Sequence, residues 1–225
     1  MFTGIVEELG SVVAIDVTPG STDARLRVRG ATVSSDVAHG DSIAVGGVCL
    51  TVVGFDGDEF TVDVMGETLD RTTVGQWRAG TAVNLERSVT PTTRLGGHVV
   101  QGHVDGVGTL IGRERHPAYD VLTFAVDAGI GKYIAEKGAI AIDGISLTVV
   151  GVQDTAGAAP GTEFTIGVIP ETQRATTMGS VAIGSAVNIE VDVMAKYVER
   201  LLTAGEPANL PAAPAAPATA AAVTA

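Results

Sequence analysis

Four segments of the chain recur in the same order in its second half, so one small domain is present twice. Thr3–Gly10 (TGIVEELG) resembles Gln101–Gly108 (QGHVDGVG), and Gly47–Gly54 resembles Gly144–Gly151. Phe60–Thr68 resembles Phe164–Thr172, and Val83–Glu86 resembles Val187–Glu190. The separation between partners lengthens after the second pair. The extra residues fall in Gln153–Gly161, a stretch with Ala, Gly and Pro that reads as a surface loop. Self-similarity kept in order identifies a repeat before any element is assigned.

Within each copy the apolar runs are short and bounded by Gly, Asp or Asn, as in Ile43–Val45, Leu50–Val53 and Phe60–Val64. β-Branched residues are frequent and aromatics make up only 4%, which suits pleated, half-buried sheets. The pattern predicts an all-β chain of two closed barrels or sandwiches. A barrel also removes the exposed edges of a sheet this small. One short helix is predicted over 131–138, with 33–38 as its counterpart. After the second copy, Val191, Met194, Val198 and Leu201 recur at helical spacing, which predicts a helix over 191–203. It is too short to stand alone and must pack on its own barrel or on another chain. The Ala/Pro-rich residues 204–225 read as a disordered tail.

Hydrophobic residues at 45% supply a core, and the formal net charge of −12 disfavours nucleic acid and anionic membrane surfaces as partners. A single cysteine, Cys49, excludes an intrachain disulfide and suits a reducing cytosol. The opening residues lack a basic signal-peptide region, and no apolar run approaches the roughly 20 residues of a membrane helix. A cytoplasmic protein is expected.

The chain contains no Walker A loop and no G-x-S-x-G elbow, and its four histidines and one cysteine give no metal-ligand pattern. Two differences between the copies carry chemical interest. Cys49 and Ser146 occupy the same place, each followed by Leu-Thr-Val-Val-Gly, with Thr51 and Thr148 two residues on along the same strand face. These positions suit either small side chains packed at a strand start or the polar lining of a pocket. His103 stands where the first copy has Ile5, so the second copy offers an imidazole that the first lacks. Glu67-Thr68 and Glu171-Thr172 each follow a β run, as caps or as ligand contacts.

Met1–Glu7, Cys49–Val52, Leu95–Gly106, Asp143–Val149 and Ile169–Thr172 together resemble the riboflavin synthase family of the single-polypeptide α-chain type, in the same order along the chain. The resemblance implies two tandem six-stranded Greek-key barrels, at 1–95 and 96–190, each binding one 6,7-dimethyl-8-ribityllumazine. It implies a homotrimer held by the helix at 191–203. The active site, with two lumazines, would lie between the first barrel of one subunit and the second barrel of another. A four-carbon unit would pass between the two lumazines, giving riboflavin and 5-amino-6-(ribitylamino)uracil, without metal or organic cofactor.

The family's ligand positions fall on Gly4, Ile5 and Val6; Cys49, Leu50 and Thr51; and Asp63, Val64, Met65, Gly66, Glu67 and Thr68. In the second half they fall on Gly102, His103 and Val104; Lys137; Ser146, Leu147 and Thr148; and Val168, Ile169, Pro170, Glu171, Thr172 and Gln173. His103 is the expected proton shuttle. Ser146 and Thr148 position ligand or nucleophile in the second half, and Cys49 and Thr51 do so in the first. Many members carry a basic residue at the position of Gly66, a contact this chain lacks. Two alternatives stay open: a non-catalytic lumazine- or flavin-binding module, and a structural trimer without ligand. Association with lumazine synthase is not decided by the sequence.

Overall fold

The computed structural model describes residues 1–17, 20–156 and 160–204, so the Ala/Pro tail expected over 204–225 lies outside the described residues except for Ala204. The first barrel comprises β1 (Glu8–Val17), β2 (Ala24–Arg29), β3 (Ser42–Val45), β4 (Val48–Asp56), β5 (Glu59–Val64) and β6 (Ala82–Arg87). It closes in the order β1-β2-β5-β4-β3-β6, with antiparallel neighbours. The second comprises β7 (Gly106–Arg115), β8 (Asp120–Asp127), β9 (Ala139–Ile142), β10 (Ile145–Thr155), β11 (Gly161–Val168) and β12 (Ala186–Val191), closed in the equivalent order. The chain is therefore the expected pair of six-stranded all-β barrels.

Alternation builds each wall, interrupted by bulges in β1, β4, β7 and β10. In β2, Ala24, Leu26 and Val28 point inward, while Arg25, Arg27 and Arg29 point outward to Asp63, Glu59 and Asp58. The interiors are filled. Phe60 is fully buried in the first, and Phe124 and Phe164 stack at 5.6 Å in the second. A ligand must therefore bind on a barrel's outside.

The barrels meet about a pseudo-dyad. The β3–β4 turn (Gly46-Gly47) packs against the β9–β10 turn (Asp143-Gly144) so closely that a Cβ on Gly47 would lie 2.5 Å from the Gly144 nitrogen. Only glycine allows that approach and the positive φ of 82° at Gly47. Asn84 Nδ2 donates to the Asp143 carbonyl at 2.9 Å, and Asn188 Nδ2 mirrors it on the Gly46 carbonyl at 2.8 Å.

Short helices follow the strands: α1 (Gly66–Arg71), α2 (Ala128–Gly131), α3 (Pro170–Ala175) and α4 (Val193–Thr203). The helix expected over 131–138 instead spans Ala128–Gly131. Beyond it Lys137 turns to φ 64°, which brings its N–H to the Val149 carbonyl at 2.9 Å, a bond incompatible with helix. Residues 33–36 form turns and 37–38 are irregular, with Glu8 accepting the Thr32 and Val33 N–H groups. In α4 the start also moves. Val191 ends β12, and Asp192 caps the helix by accepting the Met194 N–H at 3.0 Å. No helix among the described residues is long and apolar enough to cross a membrane.

Candidate functional site

The ladders between β4 and β5 and between β10 and β11 both stop short, and the site begins there. Rungs join β4 to β5 only as far as Val52–Val62, and β10 to β11 only as far as Val149–Ile166. Towards Cys49 and Ser146 the paired strands part, leaving a notch in each barrel wall. The Cys49 N–H donates instead to the Gly102 carbonyl at 2.9 Å, and the Ser146 N–H to the Gly4 carbonyl at 2.8 Å. Each notch is thus edged by a strap of chain from the other half. Cβ atoms on Gly4 and Gly102 would lie 2.6 Å from the Cβ of Ser146 and of Cys49, so both straps need glycine.

Two buried carboxylates hold the straps. Glu86 on β6 accepts the Thr3 N–H and hydroxyl, both at 2.7 Å, and the Gly4 N–H at 2.9 Å. Glu190 on β12 accepts the N–H groups of Gln101, Gly102 and His103 at 2.6, 2.9 and 3.0 Å. Burial pushes both carboxyls above the usual range, against the opposing pull of the strap N–H groups. The crossover is completed by packing: Val6 lies on the second core and Val104 on the first. Phe2, Ala44, Val100 and Ala141 form a small core between them.

This arrangement corrects the placement of His103. Its segment runs along Cys49, so its exposed imidazole belongs beside the first barrel, and Ile5 belongs beside the second. The first notch therefore gathers Cys49, Leu50, Thr51 and Asp63 to Thr68 with Gly102, His103 and Val104. The second gathers Ser146, Leu147, Thr148 and Val168 to Gln173 with Gly4, Ile5 and Val6. Lys137 joins the second notch, where its N–H meets the Val149 carbonyl. Its counterpart Gly40 meets Val52 in the first barrel with φ 92°. A lysine in the left-handed region, where the other copy uses glycine, carries a strain of about 1 kcal/mol that a side-chain role would explain.

The side chains divide by face. Cys49 and Thr51, like Ser146 and Thr148, project outward, while Leu50, Val64 and Val168 turn inward and are buried. Leu147 is half-buried against the second core. Met65 and Ile169 stand exposed at the starts of α1 and α3 and give each notch an apolar lip. Some residues are already engaged. Asp63 pairs with Arg25 at 2.8 Å, Glu67 with Arg71 at 3.0 Å and Glu171 with Arg174. These carboxylates reach solvent, and Glu171 is held below its ordinary value by hydrogen bonding to Arg174. Thr68 and Thr172 each accept a hydroxyl, from Thr72 and Thr176, on their backbone carbonyls at 2.6 Å. Gln173 Nε2 donates to the Val168 carbonyl at 3.1 Å. Pro170 opens α3 where Gly66 opens α1. A side chain at Gly66 would run into Thr22, whose hydroxyl lies 2.5 Å from the Cβ position.

His98 was not singled out by the sequence, yet it is the closest partner of Ser146. Its Nδ1 lies 2.7 Å from the Ser146 hydroxyl. Burial lowers its pKa below the ordinary histidine value, opposed by the charge of Asp192, so the ring is neutral near pH 7. Its buried Nε2 has no hydrogen-bond partner among the described residues. A Cβ on Gly97 would lie 2.1 Å from the Thr3 carbonyl and 2.8 Å from the Ser146 hydroxyl, which is how the chain brings His98 so near. The Asn-Leu-Glu and Asn-Ile-Glu triplets were legible as repeats. Polar residues inside an apolar strand were the signal that they also join the halves.

Comparisons with known proteins agree with this geometry. A lumazine binding domain model matches twice, over residues 3–88 and 101–192. The chain is 50% identical over 203 residues to riboflavin synthase of Mycobacterium tuberculosis, covering 90% of this chain and 98% of that protein. It is 42% identical over 205 residues to riboflavin synthase of Schizosaccharomyces pombe, covering 91% and 95%. Among solved structures, LumP complexed with riboflavin superposes with a TM-score of 0.73 at 23% identity, over 85% of this chain and 99% of that one, and this likeness shows the shared fold. Two lumazine binding domains in one chain, with that identity over nearly the whole length, show that the chain belongs to the riboflavin synthase family.

Proposed function

We propose that each notch binds one 6,7-dimethyl-8-ribityllumazine and that the chain dismutates two of them to riboflavin and 5-amino-6-(ribitylamino)uracil. The observation that carries this reading is the pair of equivalent notches, each with an outward polar pair, an apolar lip and a strap from the other half. Two like sites suit a reaction that consumes two copies of one substrate. The two lumazines together contain every atom of the two products, so the four-carbon transfer calls for no oxidant and no cofactor.

The sites differ in their proton-handling groups. The neutral His98 and the Ser146 hydroxyl share a proton at the second notch. Cys49 and the exposed His103 serve the first. Removal of a proton from the acidic C7 methyl of one lumazine and attack at C7 of the other need such groups on both partners. Holding the rings face to face supplies much of the rate through proximity.

On this reading the two bound rings meet when chains assemble. Helix α4 suits that assembly as the seam of a homotrimer. Its polar side is tied down, with Lys196 donating to Asp105 at 3.0 Å and Glu199 bonding Lys132 and Tyr133. Its other side leaves Met194, Tyr197, Val198, Leu201 and Leu202 exposed. The lone thiol suits a cytoplasmic setting. Adding the lumazine to purified protein and following riboflavin fluorescence tests the reading. Steady product formation supports it, whereas tight binding without turnover would select a carrier, and no binding a structural assembly.

A further inference from the structure

Where the barrels part beside the Gly47–Gly144 contact, they leave a cleft of about 470 Å³. None of its lining residues belongs to either notch. Equivalent segments of the two copies line it, so a purely structural crevice would carry equivalent side chains. Five pairs of lining positions differ, Gln76 against Ser180 and Thr81 against Ser185 among them, and three of the five change the chemistry most. Asp143 stands where the first copy has Gly46, Trp77 where the second has Val181, and Arg78 where the second has Ala182.

Trp77 packs partly on the first barrel's core, as Val181 does on the second, and presents its remaining face to the cleft, whereas the other two departures have no packing role. Asp143 adopts φ 47°, a left-handed conformation for which its twin uses glycine. The asparagine bridges across the dyad engage the backbone carbonyls of Gly46 and Asp143, the N–H groups of Thr73 and Thr177 and the Thr177 hydroxyl, and none of them ends on the carboxylate. One Asp143 oxygen accepts the Asn188 N–H at 2.7 Å, and the other has no protein partner among the described residues. Burial pushes the carboxyl up to about 7. Trp77 is the chain's sole tryptophan, and the edge of its six-membered ring rests on Gly46. Arg78 is exposed and forms no ion pair among the described residues, in a chain of net charge −12.

An indole wall takes a planar ring, an unpartnered carboxyl oxygen takes an N–H donor, and an unpaired guanidinium takes an anionic oxygen. A mononucleotide-sized ligand fits a cleft of this volume. We propose that the cleft is a second small-molecule site, for a phosphorylated planar heterocycle with N–H donors along one edge, the chemistry of guanosine monophosphate. Bound there, it would bridge the two barrels outside the reaction site.

The sole tryptophan reports on the cleft directly. Full-length protein is titrated with guanosine monophosphate while Trp77 emission is followed, with calorimetry on the same samples. A saturable change is expected. Adenosine monophosphate, which offers one amino donor and a ring-nitrogen acceptor on that edge where guanine offers two adjacent donors, should bind about tenfold more weakly. Asp143→Gly, which copies Gly46, and Arg78→Gln should each weaken binding by about tenfold, while lumazine turnover continues. No saturable signal at millimolar nucleotide would overturn the proposal. So would equal affinity in both variants, or loss of nucleotide binding when lumazine fills the notches. Lumazine turnover is read independently, so failure here leaves the proposed reaction untouched.

Discussion

The imidazole of His98 and the hydroxyl of Ser146 meet at 2.7 Å across 48 residues of sequence, and among the described residues no equivalent pair flanks Cys49. A neutral histidine is a proton acceptor at neutral pH, so the two groups act as one unit. Ser146→Ala and His98→Ala should each slow single-turnover riboflavin formation by about a hundredfold. The double variant should be no slower than the worse single one. Additive losses would show that the two act separately. Because burial lowers the His98 pKa, the acid limb of the rate should fall below the ordinary histidine value of about 6.5.

Glu86 sits in the first barrel but holds the strap of the second notch, and Glu190 does the reverse. Glu86→Ala leaves three buried donors without an acceptor and should cost about 2–4 kcal/mol of stability in denaturant titrations. Glu86→Gln, a milder change, should weaken lumazine at the second notch while sparing the first. A ligand response confined to the barrel that carries the substitution would contradict the exchange of straps.

Asp143 titrates near 7 in the folded chain and near 3.8 when unfolded. The folded state therefore keeps a proton that the unfolded state releases, and stability falls as pH rises across that window. Glu86 and Glu190, also raised, act in the same direction from about 4.5 upward. Melting temperatures from pH 4.5 to 8 should decline in the parent chain and decline less in Asp143→Asn. Parallel curves would place the titration elsewhere.

Helix α4 offers a further test. Val198→Glu and Leu201→Glu add charge to its exposed apolar side without touching the Lys196–Asp105 pair. Sedimentation should show monomers that keep their β-rich circular dichroism and lose turnover. Trimers persisting in both variants would move the seam away from this helix.

The duplication, the barrels and the matched polar pairs were legible because side-chain alternation and turn residues are local signals. Cys49 with Thr51 and Ser146 with Thr148 could be placed on one face from spacing alone. What spacing could not show was which barrel each strap serves. His103 looked like a property of the second copy because it repeats the position of Ile5 in the first, but Gly102 pairs with Cys49 across the interface. His98 was overlooked for a related reason: its partner lies on a strand far along the chain. The short helix failed where a long-range bond, Lys137 to Val149, overrode local preference.

The exchange of straps also sets an order in time. As the chain is synthesised from its N-terminus, β1 to β6 emerge before Gly102 exists to meet Cys49. Thr3 and Gly4, made first, wait for a β10 that is made late. The first barrel leaves synthesis with a vacant seat and a loose end, and each is resolved only by the other half. Completion of either notch is thus deferred until both barrels are present, so a chain interrupted midway presents no finished site.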